Sequence, residues 1–374
     1  MTDLVITAPG RLEVREAAEA RPGGPDDVVV RVDRVTLCGS DYGLFGGAYG
    51  GPSTYPLRFG HEWSGRVVDA GRDATGLVGR AVTGDCSLWC GHCPQCRTDR
   101  NRCEHIEKFG LTVDGFSVRQ RSVDRRFLYV DEHGLRPGTL AMTEFFSVVH
   151  HALRPAGPSA RGAEVLVVGG GALGLAAQLL LTRKFGAARV TLLERDPAKR
   201  RTVRGLLEPE TELSPPPEPE EIEAVRGYRT MARHARYPLV LECSGTADGV
   251  NCALALAGLG GTVLWLGLAR RGMLRPDLVV AKGLTVVGSI GGTGDFPEVM
   301  RFLAAHEERA SALVTHRFPA DSARQALSAA PDERAVRVKV QLDFSGDDSP
   351  SRSEVQGDSG ELTGNAVPDE GAGR

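Results

Sequence analysis

The 374-residue chain lacks an excess of charge of either sign, since 45 Lys and Arg residues face 48 Asp and Glu residues and leave a net charge of −3. We therefore expect no nucleic-acid partner and no attraction to an anionic membrane. It also lacks a long hydrophobic run: the most apolar stretch, Leu175–Leu181, contains Gln178 and ends at Thr182. That stretch is too short to span a bilayer.

The first ten residues lack the basic segment and apolar core of a secretory signal, which predicts a cytoplasmic protein. In that reducing compartment, the eight cysteines are expected to bind metal or to stay reduced rather than to form disulfides. A hydrophobic content of 41% over this length suits two globular domains with sizeable cores.

The chain changes character near Arg161. Before it, Asp27–Arg34 alternates apolar and polar residues like a half-buried strand, and dense glycines from Gly39 to Gly71 predict turns. After it, two continuous apolar strands flank a glycine turn and a helix. This strand–turn–helix–strand unit predicts the start of a parallel α/β sheet. The predicted strands and helices of this second part are Glu164–Val168, Ala172–Lys184, Arg189–Leu193, Pro238–Glu242, Ala247–Ala257, Gly261–Leu266, Leu284–Val287 and Phe296–His306.

Two segments interrupt this pattern. Leu206–Glu223 is rich in proline and glutamate, including Pro215–Pro217, and is predicted to be a solvated surface loop. Residues 345–374 have no aromatic side chain and an acidic excess, which predicts a disordered tail.

A glycine motif follows the first apolar strand. Gly169, Gly171 and Gly174 fit G-x-G-x-x-G between a strand and a helix, where the backbone can approach a dinucleotide pyrophosphate at the helix N-terminus. Glu194 ends the next strand, twenty residues beyond Gly174, and suits the ribose hydroxyls of NAD. Arg195 comes next and suits a 2′-phosphate, so NAD and NADP both stay open. A glycine-rich turn without a ligand is the alternative.

A compact cysteine pattern, Cys90-x2-Cys93-x2-Cys96-x6-Cys103, predicts a tetrahedral zinc site. Four thiolates close the coordination shell, so this zinc is structural. Three further residues close in sequence, Cys86, His92 and His105, are either additional candidate ligands or residues without a role in metal binding.

A second, dispersed set consists of Cys38, His61 and Glu144. One thiolate, one imidazole and one carboxylate leave the fourth position of a zinc ion open for water or a substrate oxygen, as catalysis requires. Ser40 is the candidate for transferring the proton of the substrate alcohol from the active site toward solvent. Lys339 is interpreted either as a pyrophosphate contact or as a solvated surface lysine.

The chain resembles the zinc-containing medium-chain dehydrogenase/reductase family, which includes sorbitol and threonine dehydrogenases. The motifs that carry the resemblance, besides the cysteine pattern and the glycine turn, are Cys38–Asp41, Gly60–Gly65, Glu242–Gly245, Val287–Ser289 and Thr315–Pro319. Within the family, the chain is similar to the 2-deoxy-scyllo-inosamine dehydrogenases of aminoglycoside antibiotic biosynthesis.

The resemblance implies an α/β architecture, with a GroES-like β-rich catalytic domain (residues 1–148, zinc lobe 86–105), a doubly wound Rossmann domain (149–289) and a return to the catalytic domain (290–344). It implies two zinc ions per chain, one catalytic and one structural, and a homo-oligomer, either dimer or tetramer. Glu62 becomes an alternate or supporting zinc ligand, and the nicotinamide is expected beside Gly267 and Ser289.

Three departures from the family pattern bear on this interpretation. The last two lobe cysteines are separated by six residues rather than seven, the relay histidine is replaced by Gly43, and the third-ligand motif reads Glu144–Phe146 rather than Glu-Pro-Leu.

The predicted reaction is oxidation of a secondary alcohol of a polyol or aminocyclitol. Three alternatives remain: an NADPH-dependent reductase of an oxidised aminoglycoside such as dehydrokanamycin, a zinc-independent reductase of the quinone-reductase kind, and a non-catalytic dinucleotide-binding zinc protein.

Overall fold

A computed structural model describes residues 2–16, 18–269, 271–329, 333 and 336–346. The predicted disordered tail lies, from residue 347 onward, outside the described residues. The strands are β1 (Thr2–Ala8), β2 (Arg11–Glu16), β3 (Asp27–Leu37), β4 (Leu57–Arg58), β5 (Glu62–Ala70), β6 (Ala81–Gly84), β7 (Ser87–Leu88), β8 (Glu107–Lys108), β9 (Gln120–Asp124), β10 (Leu128–Val130), β11 (Glu164–Val168), β12 (Arg189–Leu193), β13 (Thr211–Ser214), β14 (Tyr237–Glu242), β15 (Ala257–Trp265), β16 (Thr285–Gly288), β17 (Val314–Pro319) and β18 (Lys339–Asp343).

The α-helices are α1 (Gly39–Phe45), α2 (Pro137–Leu140), α3 (Thr143–Leu153), α4 (Gly157–Ala160), α5 (Ala172–Arg183), α6 (Pro197–Val203), α7 (Pro219–Glu223), α8 (Tyr228–His234), α9 (Ala247–Leu256), α10 (Pro276–Lys282), α11 (Phe296–Ala305), α12 (Glu307–Ser311) and α13 (Ala323–Leu327). Short 3-10 helices cover Thr75–Leu77, Gln95–Arg97, Arg100–Arg102, Arg125–Phe127, Arg154–Ala156, Arg204–Leu206 and Ala320–Ser322. None of the helices so described is long and apolar enough to cross a membrane.

The first large sheet joins both ends of the chain. Its strand order is β10-β6-β5-β3-β18-β17, with β9 paired to the first half of β3. Strand β18 lies between β3, to which it is antiparallel, and β17, to which it is parallel. The catalytic part is therefore split in sequence around the second sheet, as the family resemblance implies.

The second sheet is parallel, with strand order β13-β12-β11-β14-β15-β16 in the described part of the chain. This is the doubly wound order of a dinucleotide-binding fold, and the predicted α/β fold class is confirmed. Strands β11 and β12 have the bounds predicted from sequence, because Val165–Val168 and Val190–Leu193 are buried and form uninterrupted apolar runs.

The prediction of a solvated loop over Leu206–Glu223 was wrong. Thr211–Ser214 is instead the outer strand β13, paired in parallel with β12, and Pro219–Glu223 is helix α7. Leu206, Leu207 and Leu213 pack against the main hydrophobic core, and this burial outweighs the polar composition of the segment.

Helix α3 connects the two sheets. It packs against α5 and α11, and its buried Phe146, Val149 and Leu153 belong to the same core as the Rossmann strands. Its first turn carries Glu144, so the core that holds the second sheet also positions a candidate metal ligand.

Candidate active site

The predicted ligands Cys38 and His61 lie at neighbouring ends of two paired strands. Cys38 follows β3 and caps α1, whereas His61 immediately precedes β5. Thr36 of β3 faces Glu62 of β5 in the antiparallel register, which brings the two ends together. One ligand atom each of Cys38, His61 and Glu62 lies within 4.8 Å of the others.

Asp41 fixes the two turns that carry these ligands. Its fully buried carboxylate accepts hydrogen bonds from the backbone N–H of Cys38 at 2.7 Å and of Gly60 at 3.1 Å. Sequence reasoning did not identify this role, although an acid three residues after a helix cap is a capping signal.

The surroundings of His61 favour a cation. Its Nδ1 is buried, has no hydrogen-bond partner among the residues that the structure describes, and lies 3.9 Å from an Asp41 carboxylate oxygen. Burial opposes protonation, but Cys86, Asp41 and Cys38 outweigh it and raise the pKa of His61 well above its ordinary value. A buried imidazole next to a half-buried thiol and a buried carboxylate, in surroundings that favour positive charge, fits a zinc ion.

Glu144 stands next to this set rather than inside it. The atoms that lie within 4.8 Å of one another include Glu62 and not Glu144. Burial raises the pKa of Glu144 to about 7; His61 opposes the rise and Glu62 adds to it. The choice between these two carboxylates as third ligand is taken up under the proposed function.

Lys339 forms a buried ion pair with Glu62. Its ammonium nitrogen lies 2.5 and 2.6 Å from the two Glu62 carboxylate oxygens, and both side chains are at most 3% exposed. The Lys339 nitrogen also lies 4.2 Å from the centroid of the Phe145 ring. Both sequence interpretations of Lys339, the pyrophosphate contact and the solvated lysine, were wrong.

Ser40 lies two residues after Cys38, in the first turn of α1. Its Oγ is buried and has no hydrogen-bond partner in the part of the chain that the structure describes. Buried hydroxyls are normally hydrogen-bonded. The Ser40 Oγ is therefore suited to hydrogen-bond with a substrate hydroxyl or with water.

The four lobe cysteines converge as predicted. One sulfur each of Cys90, Cys93, Cys96 and Cys103 lies within 4.8 Å of the others. The backbone N–H of Cys93 donates to the Cys90 sulfur at 3.4 Å, and that of Cys90 donates to the Cys103 sulfur at 3.3 Å. Such donors stabilise thiolates, and the set fits a closed zinc site. The spare candidates Cys86, His92 and His105 are not members of this set.

The glycine turn lies at the carboxyl ends of the parallel strands. Gly169 has a φ of 105°, and a Cβ at Gly174 would lie 1.9 Å from the Gly169 carbonyl oxygen, so neither position tolerates a side chain. Gly171 caps helix α5, and beside its backbone opens a cavity of about 600 Å³. The cavity is lined by Glu194, Arg195, Lys199, Pro215–Pro219, Ser244, Asn251 and further residues of the same strand ends.

Glu194 directly follows β12 at the rim of this cavity. One of its carboxylate oxygens accepts the Gly170 N–H at 3.1 Å, and the other accepts the Asp196 N–H at 2.9 Å. The Lys199 nitrogen lies 4.0 Å away. A carboxylate fixed in this way is positioned for ribose hydroxyls, while Arg195 is exposed beside it.

Gly267 and Ser289 follow the last two strands of the same sheet. The Gly267 N–H donates to the Glu242 carbonyl at 3.1 Å, and the Ser289 N–H donates to the Trp265 carbonyl at 3.2 Å. A Cβ at Gly267 would lie 2.3 Å from the Gly245 nitrogen, so the backbone is closely packed there. Both residues lie on the ligand-binding edge of the sheet, as expected for the nicotinamide end of the crevice.

Comparison with known proteins identifies the two halves. Residues 24–132 match the alcohol dehydrogenase GroES-like domain, and residues 172–305 match the zinc-binding dehydrogenase domain. L-galactonate-5-dehydrogenase of Escherichia coli is 31% identical over 85% of this chain and 92% of its own. Scyllo-inosose 3-dehydrogenase of Thermotoga maritima is 27% identical over 79% of this chain and 80% of its own.

Solved structures agree with this result. A protein of Sinorhizobium meliloti, assigned as a zinc-binding dehydrogenase and bound to NADP, has a TM-score of 0.77 and 29% identity over 91% of this chain and 98% of its own. The chain therefore belongs to the zinc-containing medium-chain dehydrogenase family and is a zinc-dependent, NAD(P)-linked alcohol dehydrogenase.

Proposed function

We propose that this enzyme oxidises a secondary hydroxyl of a polyol or aminocyclitol ring to a ketone, as 2-deoxy-scyllo-inosamine dehydrogenases do in antibiotic biosynthesis. The observation that carries the proposal is the cluster of half-buried Cys38 with buried His61 and Glu62, beside a Ser40 hydroxyl that has no hydrogen-bond partner among the described residues. The relatives support a polyhydroxylated substrate, because they include dehydrogenases named for L-galactonate, sorbitol and a scyllo-inosose.

We propose Cys38, His61 and Glu144 as the ligands of the catalytic zinc, with Glu62 as the alternate. Glu62 is engaged through both oxygens by Lys339, whereas Glu144 forms no such ion pair among the described residues. A zinc ion held by these residues would supply the Lewis acidity that lowers the pKa of a hydroxyl, and a dinucleotide held by Gly171 and Glu194 would supply the hydride acceptor.

The side chains of the protein handle the proton and the orientation of the substrate. Ser40 accepts the proton from the substrate hydroxyl and passes it to solvent, a route that replaces the relay histidine absent at Gly43. Asp41 holds the Cys38 and Gly60 turns, and Lys339 holds the Glu62 side chain in place through both carboxylate oxygens. Gly171 and Glu194 bind the pyrophosphate and the adenosine ribose.

A second candidate is NADPH-dependent reduction of an oxidised aminoglycoside. Arg195 favours it, because this exposed residue lines the cofactor cavity where a 2′-phosphate would lie. The same active site performs either direction, since the reaction is reversible. Relative turnover with NADP and NAD therefore separates the two candidates.

We also propose that two copies of the chain associate through β16. This strand is the outer edge of the parallel sheet. Apolar side chains are exposed on the strand at Val286, just after it at Ile290, and in the segment that follows the neighbouring strand β15 at Leu268 and Met273. An unpaired edge bordered by apolar residues favours a symmetric pairing with a second copy.

The decisive experiment for the proposed function is a turnover screen with NAD and NADP against 2-deoxy-scyllo-inosamine, sorbitol, threonine and oxidised aminoglycosides. We expect about two zinc ions per chain and turnover of the aminocyclitol. Cys38→Ala should remove one zinc ion and lower kcat/KM about a hundred-fold or more, because Lewis-acid catalysis contributes several kcal/mol.

The matched control is Cys90→Ser, which should remove the other zinc ion only. A wild-type content near one zinc ion that Cys90→Ser abolishes would contradict a catalytic metal. Undiminished turnover in Cys38→Ala would favour a zinc-independent reductase.

A further inference from the structure

The cysteine lobe contacts the segment that leaves the Rossmann sheet. This exit segment, residues 289–295, connects β16 to α11. Asn101 lies in the lobe and is 6% exposed. Its side-chain oxygen accepts the Thr293 N–H at 3.0 Å, and its amide nitrogen donates to the Thr293 carbonyl at 3.5 Å and to Asp99 at 2.8 Å.

The exit segment is packed tightly on two sides. A Cβ at Gly291, whose φ is 74°, would lie 2.2 Å from the Asn101 side-chain oxygen. A Cβ at Gly292 would lie 2.5 Å from the Ser147 carbonyl carbon of α3. The backbone of the exit segment is therefore held between the lobe and the helix that carries Glu144.

A series of polar contacts joins the lobe, α3 and the exit segment at Asp295 as well. His151 has its Nδ1 2.8 Å from one Asp295 oxygen and its Nε2 3.7 Å from an Asp99 oxygen. His150 Nδ1 lies 2.9 Å from the other Asp295 oxygen. Asn101 thus contacts Thr293 directly, and Asp99 is linked to Asp295 through His151.

The loop that makes these contacts is tied at both ends by metal-ligating thiols. Asp99 and Asn101 lie between Cys96 and Cys103, in the interval that is one residue shorter than in the family pattern. Fixing both ends of so short a loop limits the positions of Asn101. The orientation of the amide therefore depends on the integrity of the lobe.

We propose that Asn101 is a positioning residue for the nicotinamide half of the cofactor. It holds the exit segment, which begins at Ser289 on the ligand-binding edge of the sheet, beside Gly267. The inference rests on the proposed function, because that function places the nicotinamide at Ser289. The cysteine lobe, which belongs to the first sheet's domain, would then position the cofactor-binding edge of the parallel sheet in addition to holding the structural zinc.

Removing the Asn101 side chain leaves the buried Thr293 N–H without a partner and frees the exit segment. The adenosine end of the crevice, at Glu194, shares none of these contacts. A positioning role therefore predicts selective weakening of nicotinamide binding, whereas a purely structural role predicts equal effects on both halves of the dinucleotide.

The test is fluorescence titration of the metal-loaded enzyme with NADH, followed by displacement with AMP as a probe of the adenosine half. Asn101→Ala should raise the Kd for NADH about ten-fold and leave the Kd for AMP within about two-fold, since small misplacements at a reacting centre have large effects. The KM for the dinucleotide should rise in parallel.

The matched control is Asp131→Ala. Asp131 accepts two backbone N–H groups of a loop in the catalytic domain, at His133 and Leu135, and makes no contact with the exit segment in the interactions described for it. This variant should leave the ratio of the two Kd values unchanged even where it lowers stability.

An unchanged NADH Kd in Asn101→Ala, or equal weakening of NADH and AMP, overturns the inference. Failure of the wild-type enzyme to bind NADH at all overturns the proposed function instead, so the two failures are distinguishable.

Discussion

Replacing Lys339 with methionine tests the ion pair behind the proposed metal centre. The substitution keeps most of the side-chain volume and removes the charge that Glu62 contacts through both oxygens. Because Glu62 is only 1% exposed, water cannot replace the lost partner. Loss of Lys339 also removes a charge that lowers the pKa of Glu144, so that pKa should rise further.

The expected loss of stability follows from this burial. Removing one partner of a buried ion pair costs about 3–5 kcal/mol. With a urea dependence of about 2 kcal/mol per molar, the unfolding midpoint of the catalytic domain should fall by about 1.5–2.5 M. Burial lowers the pKa of Lys339, but Glu62 and Cys38 outweigh it and raise that pKa. The contribution of the Lys339 charge is therefore complete below about pH 10 and is lost only above it. Because the pKa of Glu144, about 7 in the wild type, rises further in the variant, the loss of stability should be smallest near pH 6 and larger above pH 7.

The assay is urea unfolding of wild type, Lys339→Met, Glu62→Gln and the double variant, each with and without zinc. The double variant should recover a large part of the loss, because replacing both charges leaves no isolated ion. A midpoint unchanged in Lys339→Met, or a double variant as unstable as the sum of the single ones, would refute the reasoning.

Two further predictions concern the cofactor and the assembly. Glu194→Ser should weaken NAD about ten-fold or more and NADP less, because the fixed carboxylate suits ribose hydroxyls and repels a 2′-phosphate; equal changes in the two KM values would contradict its ribose role. Val286→Lys places a charge on the exposed edge strand β16 and should convert the wild-type oligomer to smaller species in light scattering; an unchanged molar mass would rule out this edge as the interface.

The Rossmann half was largely predictable from the sequence, and the reason is local. Strands β11 and β12 were found at their correct bounds because each is a short apolar run flanked by a turn. Strand β15 begins at Ala257 rather than at Gly261, because Tyr237 of β14 pairs with Ala257 across a register shift. No sequence pattern within residues 257–265 indicates that Ala257 pairs with Tyr237.

The sequence predicts which residues form the candidate active site, but it does not predict the contacts that hold those residues in place. Cys38 and His61 stand in recognisable motifs, and the four lobe cysteines have diagnostic spacing. The partner of Glu62 lies 277 residues away in the sequence, so nothing near Lys339 pointed to it. Asn101 was missed for the same reason, because its partner Thr293 is 192 residues distant.

The central place of β18 has a consequence for how the enzyme is made. A ribosome must release residues 339–343 before the first sheet can fill the gap between β3 and β17. The parallel sheet, encoded entirely upstream, can form earlier, because domains fold as units during synthesis. Until β18 inserts, Glu62 lacks its lysine, so the cluster of Cys38, His61 and Glu62 cannot reach its final arrangement before residues 339–343 are made.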